Sequence, residues 1–177
     1  MVTLTGDERD LLEMLDNLLR LALDARESYD AALPGVDVDA LRTMLKSFKA
    51  DHQKQADALA ALLTSRGRAP SAAPDDPQVA GLSAVAASDV TGDETILSTL
   101  ARCEADAMAA YERGLRFAGG DEHAHRLLQA GLDCMRRHQD SITELLKPSL
   151  PPDDLPSQPP PELGPGPRSR PRGRAAP

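Results

Sequence analysis

The sequence predicts an all-α protein, a four-helix bundle made of two antiparallel helical hairpins joined by a long connection. Its 177 residues include no Trp, two Tyr and two Phe. The core must therefore be built from smaller apolar residues such as Leu, Ala and Met, which are strong helix formers. The chain also repeats itself, since Thr5-Gly6-Asp7-Glu8 recurs as Thr91-Gly92-Asp93-Glu94, and His52-Gln53 recurs as His138-Gln139. These repeats predict two copies of one helical hairpin.

The first hairpin is predicted from apolar residues spaced three and four apart, the pattern of one helix face. Thr5-Gly6-Asp7-Glu8 fits a capping box, in which a Thr and a Glu three residues later satisfy the backbone at a helix start. Pro34-Gly35 ends this helix, and a second one continues to about Leu63. The inward positions are Leu11, Leu15, Leu18, Ala22, Ala25, Tyr29 and Leu33, then Leu41, Leu45, Phe48, His52, Ala56, Leu59 and Leu63.

The second hairpin repeats this pattern. Its first helix is predicted to begin at the second capping box, Gly119-Gly120 forms the turn, and its second helix ends near Lys147. The inward positions are Leu97, Leu100, Glu104, Ala107, Tyr111 and Leu115, then Leu128, Gly131, Met135, His138, Ile142 and Leu145.

A long connection separates the hairpins. It runs from Gly67 to about Val90, contains Pro70, Pro74 and Pro77, and includes a predicted short helix near 79–87. One long crossover in an up-and-down bundle is the ferritin-like arrangement. The predicted fold class is therefore a ferritin-like four-helix bundle.

The chain divides into a bundle, residues 1–147, and a proline-rich tail, residues 148–177. Eleven of the fifteen prolines lie in the tail, which has no apolar periodicity and is predicted to be disordered. Its end carries Arg168, Arg170, Arg172 and Arg174. These arginines leave open a contact with nucleic acid or an anionic membrane, although a solvated tail is the simpler interpretation.

Charge and cysteine usage limit the function classes. A net charge of −8 argues against nucleic-acid binding by the folded body. The N-terminal residues lack the basic and apolar regions of a signal peptide, so a cytoplasmic location is expected. Cys103 and Cys134 form no C-x-x-C motif, and two free thiols are expected there.

Five polar residues fall on the inward faces: Tyr29, His52, Glu104, Tyr111 and His138. Ferritin-like proteins build a di-iron site at such positions, with a Glu from each of two helices and a Glu-x-x-His pair from each of the other two. Glu104, His52 and His138 match three of these six ligands. Tyr29 and Tyr111 are candidates to support them.

The other three ligands are missing. The position three before His52 is Lys49, and the position three before His138 is Met135. The counterpart of Glu104 in the first helix is Ala22 or Leu18, depending on the register. An intact di-iron oxidase site is therefore not predicted, and neither a catalytic residue nor an organic cofactor is assigned.

Two interpretations of the remaining residues stay open. His52, Glu104 and His138 could hold one divalent ion, because two imidazoles and a carboxylate suit iron, zinc or manganese. The alternative is a buried hydrogen-bond network in which Glu104 accepts from a Tyr or a His. Proximity of the three side chains would favour the metal site.

The sequence resembles a bacterial ferritin-like family of unknown function. Its third predicted helix carries the best match, through Gly92-Asp93-Glu94, Ile96-Leu97, Arg102, Glu104, Ala107 and Ala110-Tyr111; the first helix is similar through Asp24, Tyr29 and Ala31-Ala32, and the second through Arg66-Gly67. The resemblance covers roughly residues 7–147. It departs from the family at Ala105, where an acidic residue is usual.

The resemblance implies a small four-helix bundle, often associated with stress. The primary functional hypothesis is a non-catalytic, stress-associated binding or structural module in the cytoplasm, and the sequence leaves a homodimer open. The alternative is a metal-binding protein, with oxidase activity as an extension, that uses His52, Glu104 and His138.

Overall fold

The computed structural model describes residues 6–71 and 92–147, and these residues form the predicted four helices. The helices are α1 (Gly6–Ala32), α2 (Asp39–Ser65), α3 (Asp93–Phe117) and α4 (Glu122–Leu146), and a single 3-10 turn, Leu33–Gly35, follows α1. The predicted short helix near 79–87 and the tail 148–177 lie outside the described residues. The prediction of four helices in two hairpins is confirmed.

Contacts between helix ends establish the topology. The backbone N–H of Asp37 donates to Asp93 Oδ1 at 2.9 Å, so α3 begins beside the α1–α2 turn. At the other end of the bundle, Arg66 after α2 forms a 2.5 Å ion pair with Asp121 before α4. Both α2 and α3 begin at the end of the bundle that contains Asp37 and Asp93, and both end at the opposite end, which contains Arg66 and Asp121. These two helices therefore run in the same direction. The chain between them therefore links opposite ends of the bundle, as the long crossover requires.

The apolar core consists of two clusters, one toward each end of the bundle. The first contains Leu15, Leu18, Leu59, Leu63 and Leu128 among its buried members. The second contains Leu45, Phe48, Leu97, Leu100 and Ile142. Between the two clusters, each of the four helices places a buried residue with a polar group on the inward face. A polar layer thus crosses the middle of an otherwise apolar core.

α3 begins after Gly92, whose φ is 113°, a backbone conformation that glycine adopts without strain. Thr5 and Thr91, the predicted capping residues, lie outside the described residues. One detail differs from the sequence prediction. Leu145 was predicted to be inward, but it is 53% exposed. Leu146 packs against the second cluster instead, because the inward face advances from Ile142 by four residues rather than three.

A glycine brings α3 and α4 close together near the polar layer. A Cβ added at Gly131 would lie 2.4 Å from Tyr111 Cε1, so the aromatic ring occupies the space of the missing side chain. The two helices that carry Glu104 and His138 are held together by this contact. Among the described residues, no helix has the length and apolar character to cross a membrane.

Candidate metal site

The polar layer takes one residue from each helix: Tyr29 from α1, His52 from α2, Glu104 from α3 and His138 from α4. All four are buried, with 1–2% of their surface exposed. Each continues the three- and four-residue spacing of the apolar face of its helix, so folding of the bundle brings the side chains to one level. The sequence places these residues on inward faces and leaves their proximity open; the structure places Tyr29, His52 and His138 within hydrogen-bond distance of the Glu104 carboxylate.

Three donors converge on a single oxygen atom, Oε1 of Glu104. The Tyr29 hydroxyl donates to it at 2.5 Å. His52 Nε2 lies 2.9 Å from the same atom, and His138 Nδ1 lies 3.3 Å from it. Aromatic contacts fix the rings, since Phe48 stacks on His138 with centroids 4.0 Å apart. The carboxylate is held in one position by three helices at once.

The second carboxylate oxygen is different. Glu104 Oε2 is buried and has no hydrogen-bond partner among the described residues. The Tyr111 hydroxyl is also buried without a partner in that part of the chain, so this tyrosine does not donate to the layer as Tyr29 does. A buried carboxylate oxygen without a donor is costly, by about 1–3 kcal/mol or more for a charged group. This atom is the strongest indication that the layer can accept a cation.

Within the polar layer, the carboxylate of Glu104 and the imidazole of His138 each favour the charged form of the other. Burial alone would raise the pKa of Glu104, but hydrogen bonds from His138 and His52 bring that pKa down to about 2. Burial alone would lower the pKa of His138, but its hydrogen bonds to Cys134 and Glu104 raise that pKa to about 9. Burial and the nearby Glu104 carboxylate raise the pKa of Tyr29. At neutral pH the layer therefore pairs a carboxylate with an imidazolium.

Two residues that the sequence reasoning did not assign lie on the other side of His138. Cys134 Sγ lies 3.5 Å from His138 Nε2, and Asp51 Oδ2 lies 3.4 Å from the same nitrogen. The sequence held a signal for each residue. Cys134 is one helical turn before His138, and Asp51 directly precedes His52. Both cysteines are free thiols, as expected.

The described residues thus contain two groups of side chains with metal-ligand chemistry. We call His52, Glu104 and His138 the inner group, and Asp51, Cys134 and His138 the rim group. Within each group the ligand atoms lie within 4.8 Å of one another. Donor atoms at this spacing can bind one common ion after small side-chain movements. His138 belongs to both groups.

The ligand set of a di-iron centre is not present in the described part of the bundle. Lys49 occupies one expected carboxylate position and pairs with Asp30. Met135 occupies another and is fully buried in the first apolar cluster. Ala22 and Leu18, the two candidates in α1, belong to the same cluster. Apolar side chains and one ion-paired lysine therefore occupy the positions where the other ligands of a di-iron centre would lie.

The four helices and their connections define a ferritin-like four-helix bundle. Two solved structures share this fold. The ferritin-like, diiron-carboxylate protein from Bacillus anthracis str. Ames has a TM-score of 0.68 and 18% identity, over 81% of this chain and 99% of its own. The bacterioferritin-related protein from Bacteroides fragilis is described as a dodecameric thioferritin. It has a TM-score of 0.67 and 16% identity, over 78% of this chain and 84% of its own.

Neither a protein-family model nor a curated protein matches the sequence. At identities below one fifth, the structural likeness establishes the ferritin-like fold alone. The site must be argued from the residues of this chain.

Proposed function

We propose that the protein binds one divalent metal ion in its polar layer, with His52, Glu104 and His138 as the protein ligands. The observation that supports this proposal most strongly is Glu104 Oε2, a buried carboxylate oxygen without a hydrogen-bond partner among the described residues. Two imidazoles and a carboxylate suit iron, zinc or manganese. An ion would use the free oxygen and replace protons that the imidazoles now share with Glu104.

The surroundings support the same proposal. The apolar clusters on both sides of the layer keep bulk water away from the ligands, and Tyr29 fixes the carboxylate through its 2.5 Å hydrogen bond. A bound ion would supply Lewis acidity, and iron would add one-electron chemistry. The neighbour from Bacillus anthracis is described as a diiron-carboxylate protein, so the fold accommodates metal in at least one other chain. Oxidase activity is an extension of this proposal that depends on iron.

The test is a thermal-shift titration of metal-free protein with Mn²⁺, which prefers carboxylate and imidazole to thiolate. A ligand that binds the folded state stabilises it, by about 2.7 kcal/mol at a concentration 100 times its Kd. We expect a rise in Tm for the unmodified protein and no rise for Glu104→Gln. Glu112→Gln is the matched control, because Glu112 lies on the same helix, is exposed and pairs with Arg136.

A second candidate function is a non-catalytic bundle in which the layer is a hydrogen-bond network. The convergence of three donors on Glu104 Oε1 favours it, because those bonds satisfy one oxygen without any ion. This candidate predicts the same Tm with and without Mn²⁺ in all three proteins. That result would exclude the inner metal site.

Partners remain proposals. One structural neighbour is described as dodecameric, which supports self-association of this chain more than it supports a homodimer. Sedimentation of the full-length protein distinguishes the two states. A contact of Arg168 to Arg174 with nucleic acid or membrane, and the stress role and cytoplasmic location, rest on the sequence alone.

A further inference from the structure

The two ring nitrogens of His138 face different groups. Nδ1 faces Glu104 of the inner group, at 3.3 Å from Oε1. Nε2 faces the rim group, at 3.5 Å from Cys134 Sγ and 3.4 Å from Asp51 Oδ2. The proposed inner site leaves Cys134 and Asp51 without a role. Their position beside a nitrogen atom that the inner site does not need makes them a separate candidate.

The spacing of the rim group matches that of ligands around one tetrahedral ion. Cys134 Sγ, Asp51 Oδ2 and His138 Nε2 form a triangle of ligand atoms. Its third edge, from Cys134 Sγ to Asp51 Oδ2, is 3.8 Å. Zinc binds sulfur at about 2.3 Å and nitrogen or oxygen at about 2.0–2.1 Å, so the edges of a tetrahedron around it are about 3.3–3.6 Å. The three observed edges of 3.4, 3.5 and 3.8 Å lie within a few tenths of an ångström of those values. Small side-chain movements would suffice to bind an ion.

The rim group is also accessible. The Asp51 side chain is 28% exposed, whereas that of His138 is 2% exposed. Asp51 Oδ1 accepts from the exposed Lys54 Nζ at 2.8 Å, which leaves Oδ2 directed at His138 and Cys134. An ion can therefore reach the group from solvent past Asp51. With three protein ligands, a fourth position is left for water.

The inner group orients the ligand nitrogen. A metal-binding His usually donates its other N–H to a carboxylate, which fixes the tautomer and the ring plane. Glu104 is in that position relative to His138 Nδ1, and His52 and Tyr29 hold Glu104 in turn. Phe48 stacks on the same imidazole. His138 Nε2 is thus aimed at Cys134 and Asp51 by contacts from the other three helices.

We propose that Asp51, Cys134 and His138 form a second metal site, which takes a thiophilic divalent cation such as Zn²⁺ from solvent. Cys134 Sγ, His138 Nε2 and Asp51 Oδ2 supply the ligands. On binding, the Cys134 thiol and the Nε2–H of the His138 imidazolium each release a proton to solvent, and the thiolate sulfur and the freed nitrogen bond to the metal. Sulfur distinguishes this site from the inner group, which offers nitrogen and oxygen alone. The rim site does not rest on the inner one, because it binds through His138 Nε2 and leaves the Nδ1–H directed at Glu104, whereas the inner site would bind through Nδ1; a neutral imidazole serves one site at a time.

The test uses Cd²⁺ as a probe on the full-length, reduced, metal-free protein. A cadmium–thiolate bond absorbs in the ultraviolet by charge transfer, so the band reports Cys coordination directly. We expect a band that saturates at one equivalent, its loss in Cys134→Ser, and its retention in Cys103→Ser, the matched control. A band that persists in Cys134→Ser, or that never appears in the unmodified protein, would overturn the proposal.

Two further variants separate the two sites. Glu104→Gln removes the inner carboxylate, so we expect it to lose the Mn²⁺ response but to keep the Cd²⁺ band with affinity about 10–100-fold weaker. Asp51→Asn should weaken Cd²⁺ binding and leave the Mn²⁺ response intact. Because Asp51 is partly exposed, this variant keeps the test decisive if Cys134→Ser fails to fold. An Mn²⁺ response without a Cd²⁺ band refutes the rim site alone, and the reverse result refutes the inner site alone.

Discussion

Asp16 on α1 and Glu104 on α3 are both buried carboxylates, but their surroundings differ. Asp16 is 4% exposed and Glu104 is 1% exposed. Asp16 Oδ1 accepts from the Ser71 backbone N–H at 2.9 Å. Its Oδ2 accepts from Ser71 Oγ at 2.5 Å and from Arg68 Nη2 at 3.4 Å. In contrast, every donor to Glu104 from residues 6–71 and 92–147 uses Oε1, and Oε2 has no partner among them.

This difference in hydrogen bonding makes Asp16 a structural carboxylate and Glu104 a candidate metal ligand. Both oxygens of Asp16 are used to fasten the chain that follows α2 onto α1, so this residue has little capacity left for an ion. Glu104 has one oxygen fixed by three helices and another oxygen directed at no donor in the described part of the chain. Burial and charge are therefore insufficient to identify a metal ligand. The number of satisfied oxygens is what distinguishes the two residues.

The largest expected effect comes from Glu104→Ala in metal-free protein. The change leaves two buried imidazoles and the Tyr29 hydroxyl without their acceptor. Removing one partner of a buried ion pair costs about 3–5 kcal/mol, and we expect a loss of that size in the free energy of unfolding measured with urea. The control Glu112→Ala removes an exposed carboxylate from the same helix and should change stability by no more than about 0.5 kcal/mol. Equal effects of the two changes would contradict the proposed role of the layer.

Asp16→Ala should have the next largest effect. It removes the acceptor of three hydrogen bonds from Arg68 and Ser71, and because these residues are partly exposed the cost comes from the lost bonds, about 1–3 kcal/mol in total. The same variant should keep the full Mn²⁺ thermal shift, because Asp16 contacts neither metal group. Loss of the Mn²⁺ response in a folded Asp16→Ala protein would break the distinction between the two carboxylates.

The comparison also shows what the sequence could and could not predict. Glu104 was found because it interrupts an apolar helix face, and helix periodicity is a local property that the sequence displays. The sequence does not reveal the structural role of Asp16, because its partners, Arg68 and Ser71, lie in the chain that follows the next helix. No spacing within α1 reveals such a contact. The fold, which depends on periodicity and turn residues, was accordingly predicted better than the contacts between helices.

The rim group was missed for a similar reason. Cys134 and His138 lie one turn apart on α4, and that spacing is visible in the sequence. Asp51 comes from α2, and its approach to His138 Nε2 depends on how the two helices are rotated against each other. Leu145 shows the same limit, since the choice between steps of three and four residues was settled by packing at the end of α4.

Tyr29→Phe should have a smaller effect than either carboxylate change. It removes one of three donors to Glu104 Oε1, while His52 and His138 remain in place. The loss of one hydrogen bond to a charged group predicts a decrease of about 1.5 kcal/mol in the free energy of unfolding. Retention of the Mn²⁺ response is expected, because Tyr29 supports the carboxylate and is not proposed as a ligand. A loss equal to that of Glu104→Ala would mean that the hydroxyl, rather than the imidazoles, holds the layer together.

The smallest expected effect is a change with pH in the free energy of unfolding. It isolates the contribution that the charged Asp16 carboxylate makes to stability. Burial alone would raise the pKa of Asp16, but the hydrogen bonds from Ser71 and the charge of Arg68 bring it below its ordinary value of 3.8. A folded-state pKa below the unfolded one stabilises the protein above the unfolded value, and this contribution disappears as the pH falls through the folded value. The difference in unfolding free energy between unmodified protein and Asp16→Asn should therefore be constant near neutral pH and shrink below pH 3.8. Urea unfolding of the two proteins across this pH range tests the expectation. A difference that grows toward acid pH would mean that the hydrogen bonds to Asp16 do not favour its charged form, and that its two oxygens are less well satisfied than those contacts imply.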